Sequence, residues 1–254
     1  HKDRNGTPII RAMPDANPQR EPAPPPLTLS RAQVRAMDRA AVEELGIPSI
    51  VLMENAAASI ERHALRLLGG TDDTEASPPH RHAVIFCGPG NNGGDGYALA
   101  RRLHVHPSEH HAPIEVTVVS MAPPASTDAA INHNIVRRMG IPIIEHDPGN
   151  PETTDQAIDA RIAEATRLLL VDALLGTGLT RPLEGAMLRG VQMINTLRRR
   201  LAHSRVLAVD IPTGLNCDTG EPTSNAHPRA VVADSTLTLV AMKRGFLNAS
   251  ASAY

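Results

Sequence analysis

Apolar and polar residues change their spacing several times along the chain, and each change marks an element. Ser30 and Gln33 have capping-box spacing, and Val34, Met37, Ala41 and Leu45 follow at helical intervals. Gly46 and Pro48 predict the end of that helix. A second helical pattern runs from about Ile50 to Leu68 and closes at Gly69 and Gly70. The polar segment Thr71–Arg81, with its paired prolines, predicts a loop.

Beyond it the pattern becomes regular. Short apolar runs at Ala83–Cys87, Ile114–Ser120, Ile141–Ile144, Leu168–Val171, Val206–Val209 and Ser235–Val240 read as strands. Helical stretches at Asp95–Leu103, Asp128–Met139, Thr154–Ala165 and Ala186–Leu201 fall between several of them. Strands alternating with helices predict parallel βαβ units and a sheet covered on both faces. The expectation is one α/β domain over residues 29–254, with a helical segment at its start. Residues 1–28 carry Pro8, Pro14, Pro18, Pro22, Pro24, Pro25 and Pro26. So many prolines exclude a helix or a central strand and predict an extended arm, packed on the body or a partner, or a disordered tail.

Composition narrows the picture. Aromatic residues make up 2% and Trp is absent, so the core must be aliphatic. A net charge of −2 supplies no basic field, which argues against a nucleic-acid partner. Cys87 and Cys217 make neither a disulfide framework nor a spaced metal site. No run of about 18 apolar residues occurs, so no membrane-spanning helix is expected. With no signal-peptide pattern either, the expected location is cytoplasmic. His104, His106, His110 and His111 lie around Pro107 without cysteines nearby and read as solvated surface. Met121, Met139 and Met242 read as core or core edge, and Arg198–Arg200 as cations at a helix end.

Three strand ends carry candidate chemistry. The first is Gly88-x-Gly90-x-x-Gly93, placed between a strand and a helix, where glycines let the backbone approach a phosphate. Asn91, Asn92 and Asp95 there exceed what a phosphate cradle needs; they point to hydroxyl recognition or a hard cation, or else to turn chemistry. The next strand lacks the acidic residue that a dehydrogenase uses to hold a ribose. The second end is Asp172, closing an apolar strand before Gly176 and Gly178. Its carboxylate calls for a cation or several donors, unless it caps the next helix. The third is Asp210, followed by Pro212, Thr213 and Gly214. Asp210 is placed to act as general acid or base, or to bond its own turn. All three loops leave the carboxyl ends of strands, the edge at which open α/β sheets bind ligands.

The strings GPGNNGGDGYALARRL, VDALLGTGL and AVDIPTGLN resemble the signature segments of NAD(P)H-hydrate epimerases, the YjeF N-terminal domain family. LGIPSIVLMENAA and VAMKRGFL resemble it too, so the likeness runs from about Leu29 to Ala253. It departs at Glu54-Asn55-Ala56-Ala57, where the family has a glycine at the last position. The resemblance implies a Rossmann-like three-layer αβα sandwich with a mostly parallel sheet. It further implies a homodimer that interconverts the R and S forms of hydrated NADH or NADPH, a bound potassium ion, and a functional link to an NAD(P)H-hydrate dehydratase. Carried over position by position, Asn91, Asn92, Gly93, Gly94 and Asp95 would line the substrate's phosphate side. Gly176, Thr177, Gly178, Leu179, Thr180, Arg181 and Pro182 would contact the substrate, and Asp210 would meet it near the reacting ring. Asn92, Asp172 and Thr213 would give potassium oxygen ligands. The alternative is a non-catalytic nucleotide-binding scaffold of the same family, against which the joint presence of Asn92, Asp172, Asp210 and the glycines argues.

Overall fold

The computed structural model describes residues 27–69, 80–106, 113–224, 228 and 230–254. The proline arm up to residue 26, nearly all of the 71–81 segment, and His110 and His111 lie outside the described residues. After β1 (Thr28–Leu29), helix α1 (Arg31–Glu43) starts at the expected capping box. Gln33 N–H donates to Ser30 Oγ, and Ser30 N–H donates back to Gln33 Oε1. Gly46 at φ 67° then turns the chain into α2 (Ser49–Leu67). Helix α2 buries Met53, Ala57, Ile60 and Ala64, a run spaced by three and four residues.

The sheet elements follow as β2 (Arg81–Cys87), β3 (Glu115–Ser120), β4 (Ile143–Glu145), β5 (Arg167–Ala173), β6 (Ser204–Val209) and β7 (Ser235–Leu237). They form one parallel sheet in the order β4-β3-β2-β5-β6-β7. Helices α3 (Asn91–His104), α4 (Thr127–Arg138), α5 (Pro151–Ile162) and α6 (Gly185–Arg200) cover its faces. Alternation along β2 separates the layers. Ala83, Ile85 and Cys87 pack with Ile60, Leu99, Leu103 and Val136, whereas Val84 and Phe86 pack with Ile158, Val191 and Ile194. Each fully buried Leu, Ile or Val contributes about 1.5–3 kcal/mol, and the core is aliphatic as expected except that it also buries the aromatic Tyr97 in one layer and Phe86 in the other.

The strand order reverses between β2 and β5: β3 and β4 extend one way, β6 and β7 the other. Their carboxyl ends therefore flank a topological switch point. Three local expectations change. Helix α3 begins at Asn91 rather than Asp95, so Gly93 and Gly94 lie in its first turn while Gly88 and Gly90 precede it. Arg81, expected in a loop, belongs to β2. The last strand stops at Leu237 instead of Val240, which has φ 65°. There the carbonyls of Leu239 and Ala241 turn away from the ladder to receive the Lys243 ammonium. β1 pairs in parallel with β8 (Met242–Lys243); strands of two residues are too short to leave a periodic signal.

Candidate active site

At the first loop the glycines divide their work. A Cβ at Gly88 would lie 1.9 Å from Leu174 O, and one at Gly93 would lie 1.9 Å from Gly88 O. These two let the turn close on itself and on β5. Gly90, the cap residue just before α3, faces open space, leaving the first N–H groups of the helix available to an anion. Asn91 is exposed, whereas Asn92 and Asp95 are buried. The Asn92 Nδ2 has no partner, an orphaned polar atom at the mouth of the loop. Burial, then the charges of Asp210 and Asp38, hold the Asp95 carboxyl well above the usual carboxylate range.

Asp172 is fully buried at the end of β5. Its Oδ1 accepts from the Thr213 hydroxyl at 2.7 Å and from Leu174 N–H at 3.2 Å, and its Oδ2 accepts from Thr213 N–H at 2.7 Å. The Thr213 hydroxyl in turn accepts from Leu175 N–H at 3.0 Å. Burial pushes the Asp172 carboxyl up to about 6, against the opposing pull of those Thr213 and Leu174 donors. It does not cap the following helix, since α6 starts behind Glu184. Carboxylate, hydroxyl and the nearby Asn92 amide are hard oxygen donors, and their chemistry fits a hard cation.

Asp210 follows β6 with a left-handed backbone, φ 69°, unusual for a residue with a side chain. That conformation aims its carboxylate across the switch point. Oδ2 accepts from Thr177 N–H at 3.3 Å, and Oδ1 accepts from Leu239 N–H at 3.2 Å. A Cβ placed on Gly176 would stand 3.1 Å from Asp210 Oδ2 and 3.3 Å from Asn92 Oδ1. The carboxylate and the amide thus flank one glycine. The Leu174–Thr177 segment consequently touches Asp172, Thr213, Asn92 and Asp210 together, and the three polar turns meet.

The Gly176–Pro182 loop is less uniform than expected. Leu179 is buried in the hydrophobic layer beneath, so only its backbone is placed for contact, while Thr180, Arg181 and Pro182 are exposed. Helix α1 leans on this loop: Arg31 Nη2 donates to Gly178 O at 3.1 Å, and Arg31 N–H donates to Asp218 Oδ1 at 2.7 Å. Sequence reasoning assigned nothing to Arg31, to Asp38 or to Lys243. Lys243 is fully buried and stands 2.6 Å from Asp210 Oδ1. Its signal was slight, because it directly follows the mostly apolar string from Leu237 to Met242 and precedes Arg244, a place where a lysine can as well be exposed.

Among the described residues, no three His, Cys, Asp or Glu side chains cluster as a metal site. His106 sits beside Glu61. A cavity of about 270 Å³ lined by His80, Arg81, His82, Glu115, Arg161 and Glu164 opens at the amino ends of the strands. It is far from the three loops and contains none of their side chains, so its size does not make it the site.

An all-parallel sheet, sheathed on both faces and carrying polar loops at its switch point, defines a ligand-binding α/β protein of the three-layer αβα kind. A model of the family described as YjeF-related protein N-terminus matches residues 49–245, and the chain belongs to that family. It is 37% identical over 225 residues to the NAD(P)H-hydrate epimerase of Rhodopirellula baltica, covering 87% of this chain and 77% of that protein. It is 38% identical over 215 residues to the NAD(P)H-hydrate epimerase of Pirellula staleyi, covering 84% and 82%. The bifunctional NAD(P)H-hydrate repair enzyme Nnr of Thermofilum pendens is 36% identical over 218 residues, which are 85% of this chain but 36% of that protein. The crystal structure of yeast ynu0 (YNL200c) superposes with a TM-score of 0.70 at 20% identity, covering 87% of this chain and 83% of that one, a likeness of fold.

Proposed function

We propose that this protein is an NAD(P)H-hydrate epimerase, interconverting the R and S forms of hydrated NADH or NADPH at the hydroxylated ring carbon. The observation that carries the reading is the junction at Gly176, which borders both the Asn92 amide and the Asp210 carboxylate beside the open start of α3. Relatives bearing that name at 37% and 38% identity support it.

The substrate's hydroxyl is on a carbon bonded to the ring nitrogen. When the C–O bond breaks, the hydroxyl takes a proton from Asp210 and leaves as water, and the nitrogen lone pair forms an iminium. Water then adds to the other face and returns its proton to Asp210, so the centre is inverted and no redox partner is consumed. A positioned acid–base group supplies about 10²–10⁴ in rate. The Gly90 turn and α3 amino terminus take the pyrophosphate, and the Gly176–Pro182 loop covers the dinucleotide. Asn92, Asp172 and Thr213 are the residues that would hold potassium, whose bound charge would help to anchor the substrate.

The exposed apolar Met37, Val42, Leu45 and Val51 on and beside α1 support a homodimer. No helix among the described residues is long and apolar enough to cross a membrane, and both cysteines are free, in keeping with a cytoplasmic place of work. The bifunctional name of the Thermofilum pendens relative supports a functional link to an NAD(P)H-hydrate dehydratase. Asp210→Asn tests the chemistry. It is expected to retain substrate binding while epimerisation drops about 10²–10⁴-fold; epimerisation at the wild-type rate would remove Asp210 from the mechanism.

A further inference from the structure

Lys243 has an environment that packing alone does not account for. Its side chain is wholly buried, and four oxygens surround the ammonium: Asp210 Oδ1 at 2.6 Å, Leu239 O at 2.6 Å, Thr238 Oγ1 at 2.9 Å and Ala241 O at 3.1 Å. To make this cage, β7 ends early and Val240 takes a left-handed backbone. The cage fastens only one oxygen of Asp210. Oδ1 receives both Lys243 and Leu239 N–H, whereas Oδ2 accepts one longer bond, from Thr177 N–H at 3.3 Å, and lies beside Gly176 and Asn92, where the candidate cleft lies. The other carboxylates whose charge reaches this pair are Asp38 on α1 and Asp95 on α3.

We infer that Lys243 is a positioning residue for epimerisation: it clamps Asp210 Oδ1 so that Oδ2 alone exchanges the proton with the substrate's hydroxyl. The inference rests on the epimerase reading of Asp210. The clamp serves the reaction in two ways. It fixes the rotamer of the carboxyl group, and it stabilises the carboxylate left behind when the hydroxyl departs, the state that coexists with the iminium. Met242 and Lys243 also pair with Thr28 and Leu29, so the clamp sits on a small parallel sheet rather than on a free loop.

The test is a double-mutant cycle on the whole chain, reading kcat and KM for each epimer in Lys243→Met, Asp210→Asn and the double variant. Lys243→Met is expected to lower kcat about 10²-fold with KM changed by less than roughly 3-fold, the signature of lost positioning. In the Asp210→Asn background the same change is expected to cost nothing further, because there is no carboxylate left to hold. Should Lys243→Met fail to fold, the double variant, which leaves no unpaired charge buried, is expected to fold and decides the matter against Asp210→Asn. A further 10-fold or greater fall in the double variant, or a folded Lys243→Met with wild-type kcat, would overturn the inference. Full activity of Asp210→Asn alone would instead sink the reading beneath it.

Discussion

At the scale of single residues, the site is built from groups that satisfy one another across loops. Thr213 gives buried Asp172 both a backbone and a hydroxyl donor. Hydrogen bonds to charged groups contribute about 1.5–3 kcal/mol, so Thr213→Val is expected to lose that much stability in urea titrations, whereas Thr213→Ser should keep most of it. Gly176 offers a sharper probe of the junction. Its missing Cβ would crowd Asp210 Oδ2 at 3.1 Å and Asn92 Oδ1 at 3.3 Å. Gly176→Ala should depress kcat/KM about 10-fold or more while leaving the melting temperature nearly unchanged, since the atoms nearest the added Cβ belong to the Asp210 and Asn92 side chains rather than to either hydrophobic layer. Asp172 and Asp210 stood out in the sequence because carboxylates ending apolar strands need partners. Lys243 directly follows a mostly apolar string, but its partner lies 33 positions away and only the folded chain brings them together. Leu179 was indistinguishable from its loop neighbours by pattern; its burial follows from the layer beneath the loop.

At the scale of elements, six strands and six helices were legible because their periods are long enough to count. Their ends were less so. A glycine-rich stretch reads as a turn, yet Asn91–Asp95 is helix because α3 is pressed between β2, β5 and α2, and small residues are what allow that approach. The glycine pattern therefore serves packing, beside the phosphate contact proposed for it. Gly93→Ala places a Cβ 1.9 Å from Gly88 O and should strongly destabilise the protein, while Gly90→Ala meets nothing within 4 Å and should fold normally. Thermal melts of the two variants would separate the roles, and a weakened affinity for substrate in folded Gly90→Ala would point to the phosphate contact. The helical arm was also legible, through Ser30 and Gln33, but its seat on Gly178 and Asp218 was not, because Arg31 reaches them across 147 and 187 positions of the chain.

For the molecule as a whole, topology decides where chemistry can occur. The order β4-β3-β2-β5-β6-β7 puts the ends of β2, β5 and β6 side by side, so three loops distant in sequence become neighbours. The opposite edge carries a different burden. His82 at the start of β2 is buried, bonded to Thr117 and near Glu115. Burial holds its pKa below 6.5, against the pull of Glu115. The unfolded chain binds its proton near 6.5 while the folded chain resists, so stability is full above that pH and is lost as pH falls towards the folded value. Unfolding midpoints followed down from neutral pH should fall less steeply in His82→Gln than in the wild type. Epimerisation itself remains the most direct check on the whole account. The separated R epimer of hydrated NADH, incubated with the purified protein and resolved by chromatography, should convert to an equilibrium mixture with the S epimer far faster than in buffer. Conversion no faster than in buffer would contradict it.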